Sequence, residues 1–213
     1  MDIESVIESK IFLYNIYCAY KKYLLNGSRS NKKVNYFHLF LKKEMEKIFQ
    51  EKNGFKINLE QNIPSKNSSG RKRCDIVLNK DGKPYIVFPV KLVMTNFKQN
   101  KNNSWENLTG ELSHIKWENP NLYIIPVNIY MDKTPYLKDD KTIKNIERIE
   151  SRDIEQYKLL EEKNLAYDNI LYIIHVEHES KIDEIFCKLP YLLSYNPKTK
   201  YRKLSEILKS LVS

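Results

Sequence analysis

Residues 71–93 read RKRCDIVLNKDGKPYIVFPVKLV, two β-rich runs that meet at Asn79-Lys80-Asp81-Gly82. Asp-Gly supplies the two positive-φ positions that a tight hairpin turn demands, and the Ile, Val, Phe and Tyr on either side have strand character. Two antiparallel strands are therefore expected, the first opening near Asp75 and the second ending at Lys91.

Downstream, the polar stretch after Lys91 leads to Ser104, a suitable N-cap, and to a helix through WENLTGELSHIKW that stops at Asn119-Pro120. LYIIPVNIY, residues 122–130, then reads as a buried strand. Strand, helix and strand in that order form a crossover, which lays residues 122–130 parallel to the Lys91 strand and makes the sheet mixed. Upstream stand an amphipathic helix over 4–25, a second helix over 35–52, a first strand over 55–63 and a polar loop from Pro64 to Gly70. Further helices are expected over 151–164, 181–193 and 199–212, with NILYIIHVEH as another strand. The fold class is α/β: a central mixed sheet flanked by helices, in one domain spanning 1–213.

The chain has 213 residues, enough for one sizeable core, with 41% hydrophobic and 30% charged residues. Its net charge of +9 fits a polyanionic partner and equally fits a Lys- and Asn-rich composition. Cys18, Cys74 and Cys187 stand far apart in odd number, so a reduced, intracellular, cytoplasmic protein is expected and a disulfide scaffold is not. The apolar stretch from Ile11 to Tyr20 is interrupted by Asn15 and followed by two lysines, which argues against a signal peptide or a membrane span. His175 and His178 with Cys187 make a poor metal set, because a fourth partner is missing.

Several charged residues sit where apolar ones are expected. Phe37, Leu41, Glu44 and Ile48 share one helical stripe, which turns Glu44 toward the core, where a carboxylate is costly without a cation or donor. Leu108, Glu111 and Ile115 repeat the pattern in the next helix, whereas Glu106 projects toward solvent. Asp75 at a strand mouth is a good ligand for a hard cation, and Lys91 at the end of YIVFPVK belongs beside an anion. Either residue alone also fits a buried strand emerging into water. Together, Asp75, Glu44 and Glu111 offer oxygen ligands for Mg²⁺ beside the Lys91 ammonium, a set suited to phosphodiester hydrolysis.

RCDIVLNKDGKPYIVFPVK resembles the signature of the PD-(D/E)XK nuclease superfamily, the restriction endonucleases in particular, in which an Asp and an acid-x-Lys triplet lie on two antiparallel strands. The order of elements over about residues 35–130 resembles that family's common core. The resemblance implies a restriction-endonuclease-like fold and hydrolysis of double-stranded DNA at a specific sequence, with two active sites and hence a homodimer or larger assembly. It makes Asp75 the metal-binding acid, Lys91 the active-site lysine and Glu44 the acid of the preceding helix. Cys74 replaces the Pro that often precedes the Asp, and Pro89 stands where the second acid is expected. Some such enzymes take that carboxylate from the following helix. Orientation favours Glu111 for this role and ranks first, while Glu106, the alternative, stands closer to the spacing from the lysine usual in the enzymes this segment resembles.

DNA contacts are expected from Arg71, Lys72 and Arg73 before Asp75, and from Asn96, Lys98, Gln99, Asn100, Lys101, Asn102 and Asn103 in a loop after Lys91. The segment DKTPYLKDDKTIKNIER, with Lys138, Lys141 and Lys144, is a second candidate loop. The alternatives are a nuclease-derived DNA-binding protein made inactive by Pro89, and a repair or RNA-processing nuclease of the same fold.

Overall fold

A computed structural model describes residues 10–27, 30–49, 54–140, 142–175, 191–194 and 210. The hairpin forms as expected: β2 (Arg71–Lys80) pairs antiparallel with β3 (Lys83–Phe88). Asp81 and Gly82 both have positive φ, 50° and 77°, so the two-residue turn has the twist that a right-handed ribbon requires. Before it, β1 (Phe55–Pro64) pairs antiparallel with β2. After it come β4 (Val90–Val93), α3 (Phe97–Glu118), β5 (Tyr123–Ile124) and β6 (Val127–Met131).

β3 and β4 are one path of chain broken at Pro89, and β5 and β6 are another broken at Ile125-Pro126. Proline has no amide hydrogen to give, so each ladder loses a rung at that point. β3 pairs parallel with β5, and β4 with β6, which sets Lys91 beside Asn128. Val127 N–H donates to the Pro89 carbonyl at 2.8 Å and Ile125 N–H to the Val87 carbonyl at 2.9 Å, so the two halves remain joined across the breaks. β9 (Ile170–His175) extends the second half parallel to β6, and β10 (Tyr191–Ser194) adds an antiparallel strand. The expected crossover and the mixed sheet are both present.

Helices cover both faces. Alternation along the strands sends Ile76, Leu78, Ile86, Phe88, Ile129 and Tyr172 to one side, where α1 (Lys10–Asn26) and α2 (Lys32–Ile48) supply Phe12, Ile16, Phe37 and Leu41. Val77, Val87, Tyr130, Leu171 and Ile173 face the other side, against Leu108, Leu112 and Ile115 of α3. Ile154, Tyr157 and Leu160 complete that core from a short helical run made of α4 (Ser151–Ile154), a 3₁₀ turn (Glu155–Lys158) and α5 (Leu159–Glu162).

Three expectations need correction. The segment after Lys91 is not a loop up to Ser104: α3 starts at Phe97, so Lys98, Gln99, Asn100, Lys101, Asn102 and Asn103 form its first two turns. Phe97 anchors that start by packing edge-on against Tyr130 at 5.4 Å. DKTPYLKDDKTIKNIER is a hairpin rather than a loop, β7 (Lys133–Leu137) against β8 (Ile143–Arg148), held to the core where Tyr23 and Thr95 hydroxyls donate to the Pro135 carbonyl. Residues 191–193, placed at the end of a helix, belong instead to β10. Residues 181–190, the His178 and Cys187 positions, residues 4–9 and 50–52, Lys141 and all but residue 210 of the expected helix over 199–212 lie outside the described residues. No helix among the described residues is long and apolar enough to cross a membrane.

Ile86 is fully buried on β3, whereas Leu25 is 59% exposed. Ile86→Ala is expected to lower stability in a urea titration by about 2–5 kcal/mol through lost transfer energy and a residual cavity, against a change of about 0.5 kcal/mol or less for Leu25→Ala. Equal effects would contradict the placement of β3 at the sheet's centre.

Candidate functional site

At the Pro89 break, the last paired rung between β2 and β3 is Ile76 with Phe88. One residue further along β2, Asp75 takes over the bonding by side chain: its Oδ2 accepts the Val90 N–H at 2.8 Å. A carboxylate thus meets a backbone donor that would otherwise lack a partner in β2, and β4 diverges to pair only with β6. The residue after Val90 is Lys91. It lines a surface cleft of about 440 Å³ together with Lys72, Asn67 and five residues of α3, among them Glu106, Glu111 and His114.

Both candidates for the displaced acid therefore border the same cleft as Lys91. Glu106 is exposed, while the Glu111 side chain is only 14% exposed and pairs with the Lys72 ammonium at 3.1 Å. Glu44 is placed differently. It is 6% exposed, as its position in the apolar stripe of α2 requires, and Lys47 one turn on binds its Oε1 at 2.6 Å while Oε2 has no hydrogen-bond partner. Neither Glu44 nor Glu111 joins Asp75 in a group of three ligand atoms within 4.8 Å among the described residues. The oxygen-only set of Asp75, Glu111 and Glu44 does not fit a single Mg²⁺ in this arrangement.

Asp75 does close with two other side chains. One ligand atom each from His38, Glu60 and Asp75 lie within 4.8 Å of one another. His38 comes from α2 and Glu60 from β1, where it faces the β2 positions around Asp75. Glu60 holds a positive φ of 54°, costly for a residue with a side chain, and the Arg73 Nε binds its Oε2 at 2.7 Å. His38 escaped the sequence reading although a signal existed: His38, Leu41 and Met45 are spaced three and four apart and share the buried face of α2. Glu60 carried none, because an acid in a half-exposed strand is ordinary.

Of the residues expected to touch DNA, Arg71, Arg73, Lys98, Gln99, Asn100, Asn102 and Asn103 are exposed. Lys72 and Arg73 are engaged by Glu111 and Glu60, and Lys101 by Asp153 at 3.2 Å. Asn96 has a positive φ of 52° and precedes the first turn of α3, where its carbonyl accepts the Asn100 side-chain amide.

Cys74 sits between these groups. It is 1% exposed, and burial pushes its thiol up to about 12, with the charges of Glu111, Asp75 and Glu60 acting in the same direction and Lys72 against them. The folded thiol keeps its proton to about pH 12, whereas an unperturbed one loses it near 9.0, so the stability from a neutral Cys74 is full below pH 9 and fades between pH 9 and 12. In the native protein at pH 8, a thiol reagent is expected to leave Cys74 unmodified until denaturant is added; labelling of Cys74 at the rate of a free thiol, read by peptide mass, would contradict this. Comparison of the chain with protein-family models, with curated proteins and with solved structures finds no match.

Proposed function

We propose that the chain is a metal-dependent endonuclease with a restriction-endonuclease-like core, hydrolysing phosphodiester bonds of double-stranded DNA at a specific sequence. The observation that carries this reading is the junction at Pro89. There the Asp75 carboxylate is tied to the backbone of Val90, and the adjacent Lys91 opens into a cleft with Glu106 and Glu111. An acid and a lysine on neighbouring strands, with further acids on the crossover helix, are the parts such chemistry uses.

In this reading a scissile phosphate enters the Lys91 cleft. The ammonium groups of Lys91 and Lys72 attract it and offset the charge that grows on its oxygens as water attacks in line with the leaving oxygen. Glu111 holds Lys72 in place through their ion pair. Glu106, exposed on the same cleft, is free to hold or take a proton from the attacking water. A divalent cation at Asp75, when bound, would polarise a phosphoryl oxygen and make water more acidic. Cutting both strands takes two such sites, so a homodimer accompanies this proposal. The exposed polar face at the start of α3, Lys98 to Asn103, flanks the junction in sequence and suits contacts to phosphates and base edges.

Pro89 is buried and brings no carboxylate to the position before Lys91, which favours one second reading: a protein of this fold that binds DNA without cutting it. Incubation with plasmid and Mg²⁺ or Mn²⁺ separates the two. The proposal expects discrete fragments, with the rate reduced by about 100-fold or more in Lys91→Ala. Salt-sensitive DNA binding with the plasmid left intact in both ions would reject cleavage in favour of the binding reading.

A further inference from the structure

We infer that His38, Glu60 and Asp75 form a binding site for a divalent first-row transition ion, taken in preference to Mg²⁺. The inference deepens the nuclease reading, with which it shares Asp75, by naming the ligands of the cation. It stands on binding alone, without DNA or turnover.

The first ground is the state of His38. Its side chain is 3% exposed, Nε2 has no hydrogen-bond partner, and Nδ1 lies 3.5 Å from Glu60 Oε1, beyond the length of a good hydrogen bond. A buried imidazole needs a partner, and the described protein groups give neither nitrogen one of ordinary length. The same separation suits two ligands of one ion: at metal–ligand distances of roughly 2.0–2.2 Å, the edge of a tetrahedron is about 3.4 Å.

The second ground is how the two carboxylates are held. Arg73 Nε fixes Glu60 by Oε2 at 2.7 Å, and Val90 N–H fixes Asp75 by Oδ2 at 2.8 Å. Each acid is oriented through one oxygen, as outer-shell donors orient metal-binding carboxylates, and Oδ1 of Asp75 accepts no hydrogen bond among the described residues. An entry path exists, because His38, Glu60 and Arg73 line a surface cavity of about 520 Å³.

The choice of ion follows from the donors. Mg²⁺ prefers an all-oxygen octahedron with much of its water retained, whereas one imidazole nitrogen with two carboxylates suits the ions from Mn²⁺ to Zn²⁺. Three protein ligands leave positions open for water or a phosphate oxygen.

Mn²⁺ alone is the probe. Titrated into metal-free protein and followed by the electron paramagnetic resonance of free Mn²⁺, it is expected to bind one ion per chain, about tenfold or more tighter than Mg²⁺ measured by competition. Pulsed resonance of the bound ion is expected to show ¹⁴N modulation from His38. His38→Ala should remove the modulation and weaken binding about tenfold or more, as should Glu60→Gln and Asp75→Asn, while Glu44→Gln and Glu111→Gln leave it unchanged. His38→Gln replaces the alanine variant if circular dichroism shows the latter unfolded. Bound Mn²⁺ without nitrogen modulation, or unchanged affinity in a folded His38 variant, overturns the site. Lys91-dependent plasmid cleavage together with unchanged Mn²⁺ affinity in a folded His38 variant would overturn the site and keep the nuclease; Mn²⁺ bound through His38 with no cleavage would keep the site and reject the nuclease.

Discussion

A β-sheet is held by backbone donors, and two neighbouring paths of this sheet carry a proline where a donor belongs. Pro89 and Pro126 still offer carbonyls, which Val127 and Ile170 N–H groups use at 2.8 and 2.9 Å, so the pairing is interrupted at a seam without coming apart. On the β2 side the bonding is completed by a side chain, the Asp75 carboxylate on Val90 N–H. That substitution sets a carboxylate at the break in the ladder. β4 leaves β2 behind, and Lys91 has room to open toward α3.

The same seam separates two sets of charges. On the α3 side Lys72 and Glu111 satisfy each other, with Lys91 and Glu106 beside them; on the α2 side Arg73 and Glu60 are paired near His38. The buried Cys74 thiol feels Glu111 from one set and Glu60 from the other, which shows how thin the partition is.

The central part of this fold was legible because its rules are local. Asp81-Gly82 specified the turn, continuous apolar runs specified buried strands, and the helix between them forced a parallel return. Elements whose patterns are mostly polar were not legible. The first turns of α3 are Asn- and Lys-rich, with only Phe97 to betray them, and β8 has the burial of a solvated strand. At the site, Asp75, Lys91 and Glu111 were visible as charges placed against apolar patterns. Glu60 looked ordinary in β1, and the meeting of His38 with Asp75 depends on how α2 lies over β1 and β2, a tertiary fact no spacing encodes.

The pairing of Lys72 with Glu111 and of Arg73 with Glu60 also bears on how the net charge of +9 acts over a distance. Cations already matched by neighbouring acids displace fewer counterions from a polyanion, and of the Arg71–Arg73 triplet only Arg71 presents an uncommitted charge among the described residues. Long-range attraction for any polyanion then falls to the lysines scattered over the exterior, which set no register. The matched pairs near the seam contribute through shape and direction, at close range.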